Sequence, residues 1–114
     1  MPYISTKTNV TISKDKEMKI KSELGKAIEI LPGKNEDWLM LSFEDNCRMS
    51  FKGESDRNIA YVEVKLLGKS TAEAYDKLTC EITKILNEEL DIASDSIYVK
   101  YEEVTYWGFN GHNF

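Results

Sequence analysis

The sequence predicts an α+β sandwich: a tandem β-α-β repeat forming a four-stranded, mostly parallel mixed sheet with two helices on one face. Three observations predict it. The first is a duplication, in which a strand start at Tyr3, a helix start at Ser13 and a second strand start at Trp38 recur at Ile59, Ser70 and Ser96. Each recurrence lies about 57 residues on, half the chain. The second is a pair of apolar stripes at helical spacing: Ile20, Leu24, Ala27, Ile28 and Leu31, then Tyr75, Leu78, Ile82, Ile85 and Leu86. The third is the alternation of Ala60, Val62, Val64 and Leu66 with Tyr61, Glu63 and Lys65, the pattern of a strand with one buried face. Right-handed crossovers then place both helices on the same side of the sheet.

Taken in order, Tyr3 to Thr8 reads as the first strand, with Asn9-Val10-Thr11 leading out of it. Ser13 is a plausible N-cap and Asp15 sits in the first turn, where a negative charge meets the helix dipole. Lys14, Lys16, Lys19, Lys21 and Lys26 mostly occupy the face opposite the stripe and read as solvated. Pro32-Gly33 stops the helix. Trp38 to Phe43 is a buried strand, Met49 to Phe51 a short extended piece, and Gly53 to Arg57 a polar loop. Ser70 and Glu73, three apart, form a capping box for a second helix that ends near Leu90. Ile97, Val99 and Tyr101 against Tyr98, Lys100 and Glu102 give the last long strand. The aromatic tail from Tyr106 to Phe114 is a candidate for pairing with a neighbouring chain. A sheet with two free edges and a second face to cover predicts self-association.

Composition bounds the function. The 114 residues make one domain, residues 1–114, long enough to bury a core unaided. A net charge of −5 with scattered basic residues argues against nucleic acid as a partner. No apolar run approaches the roughly 20 residues that span a bilayer, so no membrane insertion is expected. The first residues lack the layout of a signal peptide. Cys47 and Cys80 cannot form a C-x-x-C pair and read as reduced thiols of a cytosolic protein. His112 is the one histidine and no cluster has zinc-like spacing, so no metal is expected.

The chemistry is at the amino terminus. Removal of Met1, favoured by the small second residue, leaves Pro2 with a free secondary amine at the start of a strand. An α-amino group titrates near 7.7–8.0 and a secondary amine somewhat higher. An apolar pocket with ammonium groups nearby lowers that value towards neutrality and makes the amine a competent general base. If Met1 stays, the Pro2 nitrogen is an amide without a basic lone pair.

In this setting the chain resembles the family of macrophage migration inhibitory factor and its dopachrome tautomerase relatives. The resemblance rests on Met1-Pro2, Thr8-Asn9, Gly33-Lys34, Met49-Ser50-Phe51, Ser96-Ile97-Tyr98-Val99 and Trp107-Gly108-Phe109-Asn110-Gly111 with a final Phe114. It implies a homotrimer whose sheets wrap a central channel, with active sites at the subunit interfaces. It implies keto–enol tautomerisation of small aromatic 2-keto acids such as phenylpyruvate, or of dopachrome-like substrates, without a cofactor. Pro2 would be the base and Lys34 the active-site lysine, holding the substrate's oxygen and keeping Pro2 neutral; on pattern alone Lys34 is a cation at a helix C-terminus. Val64 would offer its backbone N–H to the substrate, and Tyr98 would reach in from an adjacent subunit. Tyr3, Trp38, Phe51, Trp107, Phe109 and Phe114 would supply apolar walls.

Lys100 replaces the asparagine of vertebrate members. It either enters the pocket as a second ammonium favouring acidic substrates, or points to solvent or pairs with a glutamate. Asp56 and Ile59 stand where those members carry a C-x-x-C pair, so thiol-oxidoreductase activity is not expected. Members are exported without signal peptides. The resemblance therefore admits a second reading, a cytokine-like protein that engages a cell-surface receptor and keeps the pocket as a vestige.

Overall fold

A computed structural model describes all residues, 1–114. Strand β1 (Pro2–Thr8) lies at the centre of a four-stranded sheet, beside β3 (Ala60–Leu67). Strand β2 (Met40–Glu44) pairs with β1 and strand β4 (Ile97–Val104) with β3, both parallel, while β1 and β3 run antiparallel. The order β2-β1-β3-β4 is that of two β-α-β units set side by side, as the duplication predicts. Helices α1 (Lys14–Ala27) and α2 (Ala72–Leu90) supply the two crossovers.

Alternation along the strands decides which face is buried. Ile4, Val62, Val64 and Leu66 point into one core with Ile20, Leu24 and Ile28 from the first crossover and Leu78, Ile82, Ile85 and Leu86 from the second. The other sheet face carries Tyr3, Tyr61, Glu63, Lys65, Tyr98, Lys100 and Glu102. Charges there are paired within the strands, Lys65 with Glu63 at 3.8 Å and Lys100 with Glu102 at 2.8 Å. Thr8 and Asn9 close β1 by a clamp onto the second repeat. The Thr8 hydroxyl donates to the Ile59 carbonyl (2.7 Å), and the Asn9 amide bonds the Arg57 carbonyl and the Ile59 N–H.

Ser13 caps α1, its hydroxyl accepting from the Lys16 N–H at 3.2 Å. The helix tightens into one 3₁₀ turn (Ile28–Ile30) before Pro32 and Gly33, and Gly33 takes the left-handed φ of 79° that lets the chain reverse.

Three local expectations need correction. Trp38 does not begin a strand; Asn35 caps a single 3₁₀ turn, Glu36–Trp38, which holds the indole outside the sheet so that β2 starts only at Met40. The piece from Met49 to Phe51 is reduced to one bridge between Phe51 and Glu54. The cap of α2 is Thr71, whose hydroxyl accepts from the Ala74 N–H (3.1 Å). Ser70 N–H is drawn instead to the Tyr75 hydroxyl and Glu103, and Glu73 pairs with Lys77, so the Ser70–Glu73 box does not form. The tail folds back on its own chain as a hairpin, β5 (Gly108–Phe109) against β6 (His112–Asn113), turning at Asn110 and Gly111 with φ of 53° and 86°.

Candidate active site

The site is assembled where β1 starts. Pro2 lies opposite Leu66 on β3, and the Met1 carbonyl accepts a hydrogen bond from the Leu67 N–H at 3.2 Å. The first peptide is thereby fixed to the sheet. The loop after α1 brings Lys34 to the same spot: its backbone N–H donates to the Leu31 carbonyl, and its ammonium donates to the Leu67 carbonyl at 3.2 Å. Burial, and then the charge and hydrogen bond of Lys34, hold the Met1 amine below its ordinary 8.0.

Beside this amine opens a cavity of about 590 Å³. Met1, Pro2 and Tyr3 form one side of it, residues 37–41 another, and Trp107, Gly108 and Phe109 the third. The aromatic wall is ordered by ring packing. Trp38 meets Phe109 edge-on at 5.1 Å, and Phe114 stacks on Phe109 at 6.2 Å. The Phe114 N–H donates to the Trp107 carbonyl (3.0 Å) and so ties the end of the chain to the rim. Tyr3 is fixed on both sides, its hydroxyl 2.8 Å from that of Ser42 and its ring 5.9 Å from the Lys65 ammonium.

The whole chain, residues 1–114, matches the family model described as macrophage migration inhibitory factor (MIF). The chain belongs to the MIF family. The crystal structure of Leishmania major MIF2 is 30% identical with a TM-score of 0.93, covering 100% of this chain and 97% of that one. A MIF homologue from Prochlorococcus marinus is 26% identical with a TM-score of 0.82, covering 98% of each chain. MIF from Toxoplasma gondii, at 19% identity, 98% and 99% coverage and a TM-score of 0.90, shares the fold. No curated protein sequence matches the chain.

Among the residues singled out from the sequence, Pro2, Tyr3, Trp38, Trp107 and Phe109 line this one cavity. Lys34 stands at its amine end and Phe114 on its rim. Val64 does not belong with them: it pairs with Ile4, two residues inside the sheet, and its side chain is fully buried in the core. The backbone N–H beside Pro2 is that of Leu67. Leu67 lies three residues beyond Val64, and a backbone N–H leaves no mark in the alternation of side chains. Leu67 is the group sequence reasoning missed.

Tyr98 and Lys100 lie elsewhere in the chain. Tyr98 is opposite Tyr61, and the five residues from Tyr61 to Leu66 put it roughly 17 Å along the strand from Pro2 at about 3.3 Å per residue. Tyr98 instead packs edge-on against Phe51 at 5.0 Å, bordering a separate cavity of about 380 Å³ with Arg48, Met49 and Tyr61. Lys100 is engaged by Glu102, whose hydrogen bond and charge raise the lysine's pKa above 10.5. Its ammonium pairs with Glu102 at 2.8 Å and does not enter the Pro2 cavity of its own chain.

Proposed function

We propose that this chain is a cofactor-independent keto–enol tautomerase of phenylpyruvate- or dopachrome-type substrates, with Pro2 as general base once Met1 is removed. The observation that carries this reading is the meeting of Pro2 and the Lys34 ammonium at one end of an aromatic-walled cavity, where burial and then Lys34 lower the pKa of the amine that Met1 now carries. Loss of Met1 leaves a secondary amine in place of the first peptide, vacates the Met1 share of the cavity and frees the Leu67 N–H. Lys34 and that N–H are then two donors beside Pro2. They hold the substrate's carbonyl or carboxylate oxygen while negative charge builds on it. Pro2 takes the enol hydroxyl proton and returns a proton to the neighbouring carbon, or runs the reverse, and no redox partner is needed. Tyr3, Trp38, Trp107, Phe109 and Phe114 flank the substrate ring.

Tyr98 joins this chemistry only from a second protomer, so the proposed working form is the homotrimer. Support comes from the two unpaired edges, β2 and β4, and from a polar sheet face that no helix covers. Intact mass measurement reports whether Met1 is gone. Phenylpyruvate ketonisation by the trimmed chain and by Pro2→Gly then tests the base, and equal rates would sink it. Light scattering tests the assembly: a lone subunit in solution removes Tyr98 from the site.

A further inference from the structure

Leu67, to whose carbonyl Lys34 is fastened, is the last residue of β3, and the chain turns sharply behind it. Gly68 takes a left-handed φ of 83°, and its N–H donates to the Val104 carbonyl at 3.0 Å. That N–H and the Leu67 carbonyl belong to one peptide plane, so the bond to β4 also sets the direction of the carbonyl that receives the Lys34 ammonium. The far end of the turn is held by a side chain. Tyr75, near the start of α2, accepts the Ser70 N–H on its hydroxyl at 3.0 Å and donates to the Glu103 carboxylate at 2.7 Å. Glu103 also accepts from the same N–H, at 3.3 Å. The Tyr75 ring is half-buried against Tyr101, with centroids 4.6 Å apart. Burial, then the Glu103 hydrogen bond, hold its phenol above the ordinary 10.0, so the hydroxyl keeps its proton. The cap of α2 has no use for this hydroxyl, because Thr71 supplies the cap.

We propose that Tyr75 is a positioning residue for the site at Pro2: through Ser70 it closes the turn 68–70 and so holds the Leu67 peptide to which Lys34 is fastened. Two anchors fix the two ends of that turn, Val104 at Gly68 and Tyr75 at Ser70. Glycine at its first position makes the turn a hinge of low resistance. Without the hydroxyl, the Ser70 N–H keeps only the longer, exposed bond to Glu103, and the turn pivots about Gly68. The Leu67 carbonyl then tilts away from the ammonium, and the two donors beside Pro2 lose their common alignment. The catalytic consequence rests on the tautomerase reading; the coupling of Tyr75 to the peptide between Leu67 and Gly68 does not.

Tyr75→Phe keeps the ring and removes the hydroxyl. Tyr101→Phe is its control: it removes the bonds to Thr79 and to the Tyr75 carbonyl in the same neighbourhood without touching the turn. Backbone amide exchange, resolved by NMR in the trimmed chain, reads the turn directly. Tyr75→Phe is expected to speed exchange of the Gly68 amide roughly fivefold, the worth of one ordinary hydrogen bond, and Tyr101→Phe to leave it near the parent value. In phenylpyruvate ketonisation Tyr75→Phe should lower kcat by a similar factor with KM little changed, because the displaced donors act on charge that builds in the transition state. Glu103→Ala, on the exposed side, frees the hydroxyl to turn away and should move both readings in the same direction by less. A trimmed parent that does not ketonise phenylpyruvate refutes the base, and the exchange comparison still decides the coupling. Gly68 exchange unchanged by Tyr75→Phe and Glu103→Ala, or quickened equally by Tyr101→Phe, overturns the proposal. So does a kcat that follows thermal stability alone across the three variants.

Discussion

Replacing Lys34 with glutamine removes a charge while leaving a side chain of similar length. Lys34 lies within hydrogen-bonding reach of the Met1 amine, and its charge and hydrogen bond follow burial as causes of that amine's lowered pKa; the proposed Pro2 amine stands one residue on, at the same end of β1. Two unit charges about 4 Å apart are worth ~4 kcal/mol at an effective dielectric of 20 and ~1 kcal/mol in water. The amine is partly open to solvent, so a value near the lower end, ~1.4 kcal/mol or one pKa unit, is appropriate. The variant's kcat/KM against pH should therefore have its acid limb displaced upward by about one unit. The sign follows from the amine: a raised pKa leaves less free base at neutrality, so activity is lost first on the acid side. Above that limb a second loss remains, because a donor to the substrate oxygen is gone. A hydrogen bond from a charged group, at about 1.5–3 kcal/mol, corresponds to roughly 10–150-fold. Lys34→Arg keeps the charge and should keep the limb near its original position. Phenylpyruvate ketonisation from pH 5 to 9 measures both effects. An acid limb that stays put in Lys34→Gln refutes the electrostatic tuning, whatever happens to the plateau.

Two further predictions concern stability. Thr71→Ala should cost about 1 kcal/mol in urea unfolding because it removes the α2 cap, whereas Ser70→Ala should stay within roughly 0.5 kcal/mol; the reverse order would restore the Ser70 box. At the seam between the helices, the Glu89 carboxylate, its side chain 4% exposed, bridges Lys16 and Lys19 at 3.2 and 3.1 Å. Burial, then the hydrogen bond and charge of Glu89, raise Glu23 above 4.5. The folded chain therefore binds a proton there that the unfolded chain releases, and this stabilisation fades as pH rises from 4.5 through the raised value. Glu23→Gln should match the parent at low pH and exceed it at neutrality in thermal unfolding; a gap constant with pH would contradict the shared proton.

The duplication, the two amphipathic stripes and the alternation of β3 were legible because each is a periodicity that burial enforces. The placement of Trp38 and Thr71 was not. Each depends on a single local competition: Asn35 capping against strand extension, and Thr71 against Ser70. An indole reads as a strand residue until something nearby, here the Asn35 cap and the Phe109 edge, offers it a better position. The cavity walls were legible as aromatics but not as a set, since β1, the loop before β2 and the tail meet only in three dimensions.

The misplacement of Val64 shows why the site was harder to read than the fold. Both Val64 and Leu66 satisfy every demand of the core: each is apolar, each faces the helices and each is fully buried. Nothing in hydrophobic patterning says which backbone N–H of the strand stands beside Pro2. The distinction comes from polar groups at the end of the sheet, where the Met1 carbonyl meets the Leu67 N–H and the Lys34 ammonium meets the Leu67 carbonyl. One residue thus has both backbone groups occupied by the two segments that carry the proposed base and its cation. Removal of Met1 releases one of those bonds and keeps the other, so Lys34 holds Leu67 in place while its N–H becomes available. The amine, the ammonium and the amide are coupled through Leu67, a residue whose side chain has no part in the chemistry.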